Sequence, residues 1–105
     1  MYFNIPGQGR VIAFYGPDAQ AMVHMEECAE LAQAVSKMRR ARNRGMDDTV
    51  PYYNMVEEAA DCLICIEQMM EMYGIRSHEI QAVIDRKCAR QEARMHDAGR
   101  RFHTG

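Results

Sequence analysis

Between Asp18 and about Arg42, apolar side chains return at intervals of three and four: Met22, Met25, Cys28, Ala29, Ala32, Val35 and Met38. That is the period of a helix with one buried face. Asp18 suits its N-cap and Gly45 its terminator. A second run, from about Pro51 to Tyr73, carries a broader face of Tyr52, Met55, Val56, Ala59, Cys62, Leu63, Ile66, Met69, Met70 and Tyr73. Between the runs, Asn43 to Pro51 reads as a turn, with Thr49 as the cap of the second helix. Gly74 stops that helix, and Ser77 caps a third. The apolar side of the third helix is Ile80, Val83, Ile84, Cys88 and Met95, and it ends near Arg94 or a little beyond. Ahead of these, Arg10 to Tyr15 forms a short helix stopped by Gly16 and Pro17. Residues 1–9 read as an irregular arm and residues 96–105 as a frayed tail. The pattern predicts an all-α chain, an antiparallel bundle of three main helices plus a short N-terminal one, because a short connection makes neighbouring helices antiparallel.

Length sets the scale of the core. The 105 residues make one domain, 1–105, and their 48% apolar content is that of a globular chain. A small helical domain with a second apolar edge on its helices completes its core with a partner, so a homodimer or homotetramer is expected. Formal net charge is −2 and the pI about 6.1, which leaves no broad basic surface for nucleic acid. The first residues lack a basic region followed by an apolar run, and no segment reaches the ~20 apolar residues of a membrane span. A cytoplasmic protein with no membrane partner is expected. Cys62 and Cys65 have the spacing of zinc ligands. All four cysteines nevertheless fall among apolar helical positions, which favours reduced, buried thiols. The ten methionines read as core filler.

Chemistry concentrates in two acidic clusters, Glu26-Glu27-Cys28-Ala29-Glu30 and Glu57-Glu58-Ala59-Ala60-Asp61. At about 100° per residue, Glu26 falls on the polar side near Gln33 and Lys37, whereas Glu27 and Glu30 flank the strip of Val23 and Ala34 at the apolar edge. On the second helix Asn54, Glu58, Asp61 and Cys65 make one strip beside the apolar face, and Glu57 points outward toward Gln68 and Glu71. Each helix therefore has an inner acidic pair at i and i+3 plus an outer Glu that already serves solvent. Like charges this close repel, and the repulsion is relieved by a cation. If the helices pack antiparallel, Glu27 and Glu30 face Glu58 and Asp61. A carboxylate cluster without histidine suits Mg²⁺ or Mn²⁺, whereas a di-iron site of the ferritin kind uses Glu-x-x-His, a spacing that His24 and His78 do not make. The plainer alternative is a solvated helix face; duplication of the inner pair weighs against it. Gly7-Gln8-Gly9-Arg10 lacks the preceding strand and the Lys-Ser/Thr ending of a phosphate loop.

Glu-Glu-x-x-Glu followed by Glu-x-x-Asp resembles the signature of the MazG-like all-α nucleoside triphosphate pyrophosphohydrolases. The likeness extends over roughly residues 10 to 95: Tyr15-Gly16 with Gln20, the stretch from Glu26 to Ala34, Asn54 ahead of Glu57-Glu58-Ala59-Ala60-Asp61, and Lys87 with Arg90 and Arg94. The resemblance implies cleavage of a nucleoside triphosphate between the α and β phosphates, with Mg²⁺ held by Glu27, Glu30, Glu58 and Asp61. It implies Glu30 and Glu58 as catalytic carboxylates, with Glu30 the choice for taking the proton of water. Lys87 and Arg94 match the family's basic positions and would hold the outgoing phosphates, with Lys37 and Arg40 as further cations and Asn54, Arg90 and Gln91 in support. Many relatives have Asn where Gln91 stands, which leaves a base or sugar contact from that position open. Two rivals stand beside this reading: phosphoribosyl-ATP pyrophosphatase, in which a similar Glu-Ala-Ala-Asp segment occurs, and a helical dimerisation module without catalysis.

Overall fold

The computed structural model describes residues 3–103, with side chains up to Gly99. Four helices and no strand occur among these residues: α1 Gly9–Tyr15, α2 Pro17–Asn43, α3 Thr49–Tyr73 and α4 Ser77–His103. The all-α expectation holds. The chain divides into two compact units, Met1–Gly74 with α1, α2 and α3, and Ile75–Gly105 with α4.

In the first unit one residue joins two helices. Gly16 donates its N–H to the carbonyl of Ile12 at 2.8 Å, closing α1, and its own carbonyl accepts from Gln20 N–H at 3.2 Å, opening α2. Its φ of 89° and ψ of 151° belong to a region that only glycine occupies at low cost. Pro17 follows at the first helical position, where no N–H is needed. Asp18 therefore lies in the first turn of α2, not at its cap, and complements the positive helix end from there.

Helices α2 and α3 form an antiparallel hairpin. Going up α2, the partners go down α3: His24 meets Gln68, the Glu27 carbonyl meets Cys62, and Arg42 meets Asp48. The turn is locked by Asp47, whose Oδ1 accepts from Thr49 N–H at 3.0 Å and Thr49 Oγ1 at 2.7 Å, and by Arg42 Nε donating to Asp48 Oδ2 at 2.9 Å. Asp48 is the N-cap and Thr49 the first helical residue, one place later in role than its sequence suggested. Gly74, at φ 67°, ends α3 as expected.

The packed seam of α2 runs through Gln20, His24, Glu27, Leu31, Ala34, Met38 and Ala41, all buried or half-buried and spaced alternately four and three. Its counterpart on α3 is centred on Met55, Glu58, Cys62, Cys65 and Met69. This corrects the apolar face read for the first long helix. Met22 and Met25 are 59% and 69% exposed, and Cys28, Ala29, Ala32 and Val35 are not buried on the seam either; of that strip only Met38 is buried. The helix is apolar on two sides, and α3 takes the side that holds the acids. Cys28 and Cys88 are exposed free thiols, so only Cys62 and Cys65 are the buried cysteines that the pattern predicted for all four. Among the described residues the buried apolar ones are few and, Met38 apart, small: Ala34, Met38, Ala41, Cys62 and Cys65.

The arm is not idle. Gln8 is buried; its N–H donates to Glu71 Oε1 at 3.1 Å, and its side chain accepts from Gln68 Nε2 at 3.0 Å and donates to the Pro6 carbonyl at 2.9 Å. Because Gln68 donates through nitrogen, its oxygen accepts from His24 Nε2, 3.0 Å away, which fixes the proton on that ring nitrogen. Gln68, expected on the outward direction of Glu57, is thus buried, because the arm covers that end of α3.

In the second unit, Glu79 reaches back to accept from Arg76 N–H at 3.0 Å, half of a capping box, and Ser77 is the first helical residue of α4. The helix continues past Arg94 to His103. Val83, Ile84 and Met95 on it are exposed. Among the described residues no helix is long and apolar enough to cross a membrane.

Candidate functional site

Midway along the α2–α3 seam the apolar residues give way to acids. A helix places i and i+3 on one face, and the hairpin brings Glu27 of α2 opposite Glu58 and Asp61 of α3. Carboxylate oxygens of the three lie within 4.8 Å of one another. Below this group the Cys62 thiol donates to the Glu27 carbonyl at 3.4 Å, so the backbone that carries Glu27 is tied directly to α3. Glu26 and Glu57 are exposed, in line with the inner and outer assignment from helical period.

Two oxygens are the unusual feature. Glu27 Oε2 and Glu58 Oε2 are shielded from solvent and have no hydrogen-bond partner. A buried carboxylate oxygen without a donor is costly when ionised. The titration reflects it: the Glu58 carboxyl is pushed up to about 7, first by burial and then by repulsion from Glu30 and Glu27. Glu27 is raised as well, by burial first and then by Asp61 and Glu30. Burial and crowding of like charge thus favour a proton retained in this group below about pH 7. Burial also raises both seam thiols, Cys65 to about 11, and these stay protonated at neutral pH.

Of the four carboxylates expected to converge, three meet; Glu30 is exposed, one turn along α2 from Glu27, and near enough to act on the charge of Glu58. Asn54 is exposed, one turn before Glu58 on α3. Lys37 and Arg40 lie with Arg44 along a groove at the turn end of the hairpin. Lys87, Arg90, Gln91 and Arg94 are exposed residues of α4, in the second unit. The donor set of the acid group is all oxygen, the set that a hard divalent cation takes, and the two partnerless oxygens are what such a cation would satisfy.

The buried chain His24, Gln68 and Gln8, and the buried Gln20, escaped the sequence reading. Gln20 and His24 could have been found by stepping three and then four residues back from Glu27 instead of following the methionines. Nothing local marks Gln8 and Gln68, because their burial depends on the arm folding over α3. No protein family, curated protein or solved structure matches this chain.

Proposed function

We propose that the chain is a Mg²⁺- or Mn²⁺-dependent hydrolase that cleaves a nucleoside triphosphate to the monophosphate and pyrophosphate, in the manner of the MazG-like enzymes that its acidic motifs resemble. The observation that carries the reading is the gathering of Glu27, Glu58 and Asp61 on rigid helices, with the buried Oε2 atoms of Glu27 and Glu58 unpartnered. In this reading Glu27, Glu58 and Asp61 hold the metal, with Glu30 at the rim of the group. Such a cation, when bound, neutralises charge on the polyphosphate. Glu30, exposed and beside the cluster, takes the proton of the attacking water. Lys87 and Arg94, seven residues apart on one stripe of α4, hold the outgoing phosphates by charge-assisted hydrogen bonds. Arg90, Gln91 and Asn54 support the substrate, and Lys37 and Arg40 are further cations.

The reading includes a homodimer or homotetramer in the cytoplasm that completes a helical bundle. Its support is the small set of buried apolar residues beside exposed Met22, Met25, Val35, Val56 and Ile66. The test is a panel of nucleoside triphosphates, canonical and damaged, incubated with Mg²⁺ or Mn²⁺ and read by pyrophosphate release. Orthophosphate as the sole product would reject cleavage between the α and β phosphates. A chain that only assembled would also show no rise in Tm with Mg²⁺, whereas a site present only in the folded state is stabilised by its ligand.

A further inference from the structure

The turn end of the hairpin concentrates positive charge in a chain whose net charge is −2. Five of the eight residues from Lys37 to Arg44 are basic: Lys37, Arg39, Arg40, Arg42 and Arg44. Attraction to the negative end of α2 accounts for Arg40 and Arg42 in its last turn, and Arg42 is also paired with Asp48. It does not account for Lys37 and Arg39, which come before that turn. The nearby acids are committed elsewhere, Asp48 to Arg42 and Asp47 to Thr49, whose hydrogen bonds hold the Asp47 carboxyl below its usual value. Lys37, Arg39, Arg40 and Arg44 have no ion-pair partner among the described residues.

The free cations are arranged. Lys37 and Arg40, at i and i+3, share one face of α2, Arg44 follows as its C-cap residue, and the three repel one another as they stand. They line one open groove of about 350 Å³ together with Pro51, Met46 and the carboxylate of Asp47, whose Oδ1 is engaged by Thr49, so three cations face one anion there. Arg40 also lines two adjoining grooves, where Ser36, Gln33 and Asn43 add neutral hydrogen-bonding groups. Guanidinium forks, an ammonium and a hydroxyl along a line match a chain of linked phosphates, whose oxygens accept several donors at once.

From this we infer that the turn end of the α2–α3 hairpin is an anion site that binds a chain of linked phosphates through Lys37, Arg40 and Arg44. The inference does not rest on metal binding or turnover at the acid group. The ligand chemistry is that of a free polyphosphate of the nucleotide kind, whose phosphates are joined directly through bridging oxygens.

The test titrates inorganic tripolyphosphate into the full chain in metal-free, low-salt buffer by calorimetry. Binding is expected. In Lys37→Ala/Arg40→Ala/Arg44→Ala it should weaken at least tenfold, with helicity by circular dichroism unchanged, because all three residues are exposed and alanine is the best helix former. Arg86→Ala, at an exposed cation of α4 outside the proposed site, should leave this metal-free binding as in the wild type. A thymidine oligonucleotide, whose phosphates are spaced by sugars, should not displace tripolyphosphate; displacement would point to a nucleic-acid strand and overturn the inference. No binding, equal binding by the triple variant, loss of binding in the α4 variant, or equal affinity for oligoglutamate would overturn it. Pyrophosphate release from the triphosphate panel is read separately, so failure of the acid group as a catalyst and failure of this site give different results.

Discussion

Glu58 is the residue on which stability and chemistry meet. Its carboxyl titrates near 7 in the folded chain against 4.5 for an ordinary Glu, so between those values the folded protein holds a proton that the unfolded chain releases. Stability is therefore greatest below about pH 4.5 as far as this group is concerned, and falls as pH rises through 7. Glu27, also raised, acts in the same direction. Without metal, Tm should fall from about pH 5.5 to about pH 8, a trend that a melting series measures. Glu58→Gln should flatten that trend and melt no lower than wild type at the alkaline end, because the amide carries no charge to bury or to be repelled by Glu30 and Glu27. If the acids hold a metal, the same variant should lose turnover by about a hundredfold or more, and Glu57→Gln should not. Equal damage from both substitutions in the pyrophosphate assay would mean that the inner and outer faces are wrongly assigned.

Among the elements, the joints decide more than the helices. Gly16 closes α1 and opens α2 in a backbone conformation that a Cβ makes costly, although open space surrounds it. Gly16→Ala should destabilise the chain by about 1–3 kcal/mol. Gly99→Ala, inside α4 and equally unobstructed, should be neutral or favourable, since glycine in a helix costs up to ~1 kcal/mol relative to alanine. Urea titration of both variants checks the pair, and equal effects would refute the conformational argument. The arm is the second joint. Gln68→Leu removes the middle of the His24, Gln68 and Gln8 chain and leaves buried Gln8 without its donor. A loss of about 1–3 kcal/mol is expected, with faster hydrogen exchange at Gln8 N–H, whose bond to Glu71 depends on the arm staying down. Unchanged exchange there would mean that the arm is held by other contacts.

On the scale of the whole molecule, the chain buries little by itself, and no side chain among the described residues is fully enclosed. The exposed strip of Met22, Met25 and Val35 on α2 should be covered in an assembly, so sedimentation at micromolar concentration is expected to give a dimer or tetramer. Met25→Glu should shift that equilibrium toward monomer, and a monomeric wild type would remove the strip from consideration. The sequence by itself determined the helices, their glycine boundaries, and that Glu27 and Glu58 lie inward while Glu26 and Glu57 point out, because those depend on local propensity and on the fixed angle between successive residues. Tertiary structure decided which of two apolar faces of α2 packs against α3, since the strip with more methionines was left outside and the side with Gln20, His24 and Glu27 was taken in. It also decided that three carboxylates meet while Glu30 stays at the rim, and that Gln68 is buried under the arm. Helical period fixes a direction within one helix. It carries no information on which direction a neighbour will cover, and that choice rests on how two surfaces fit.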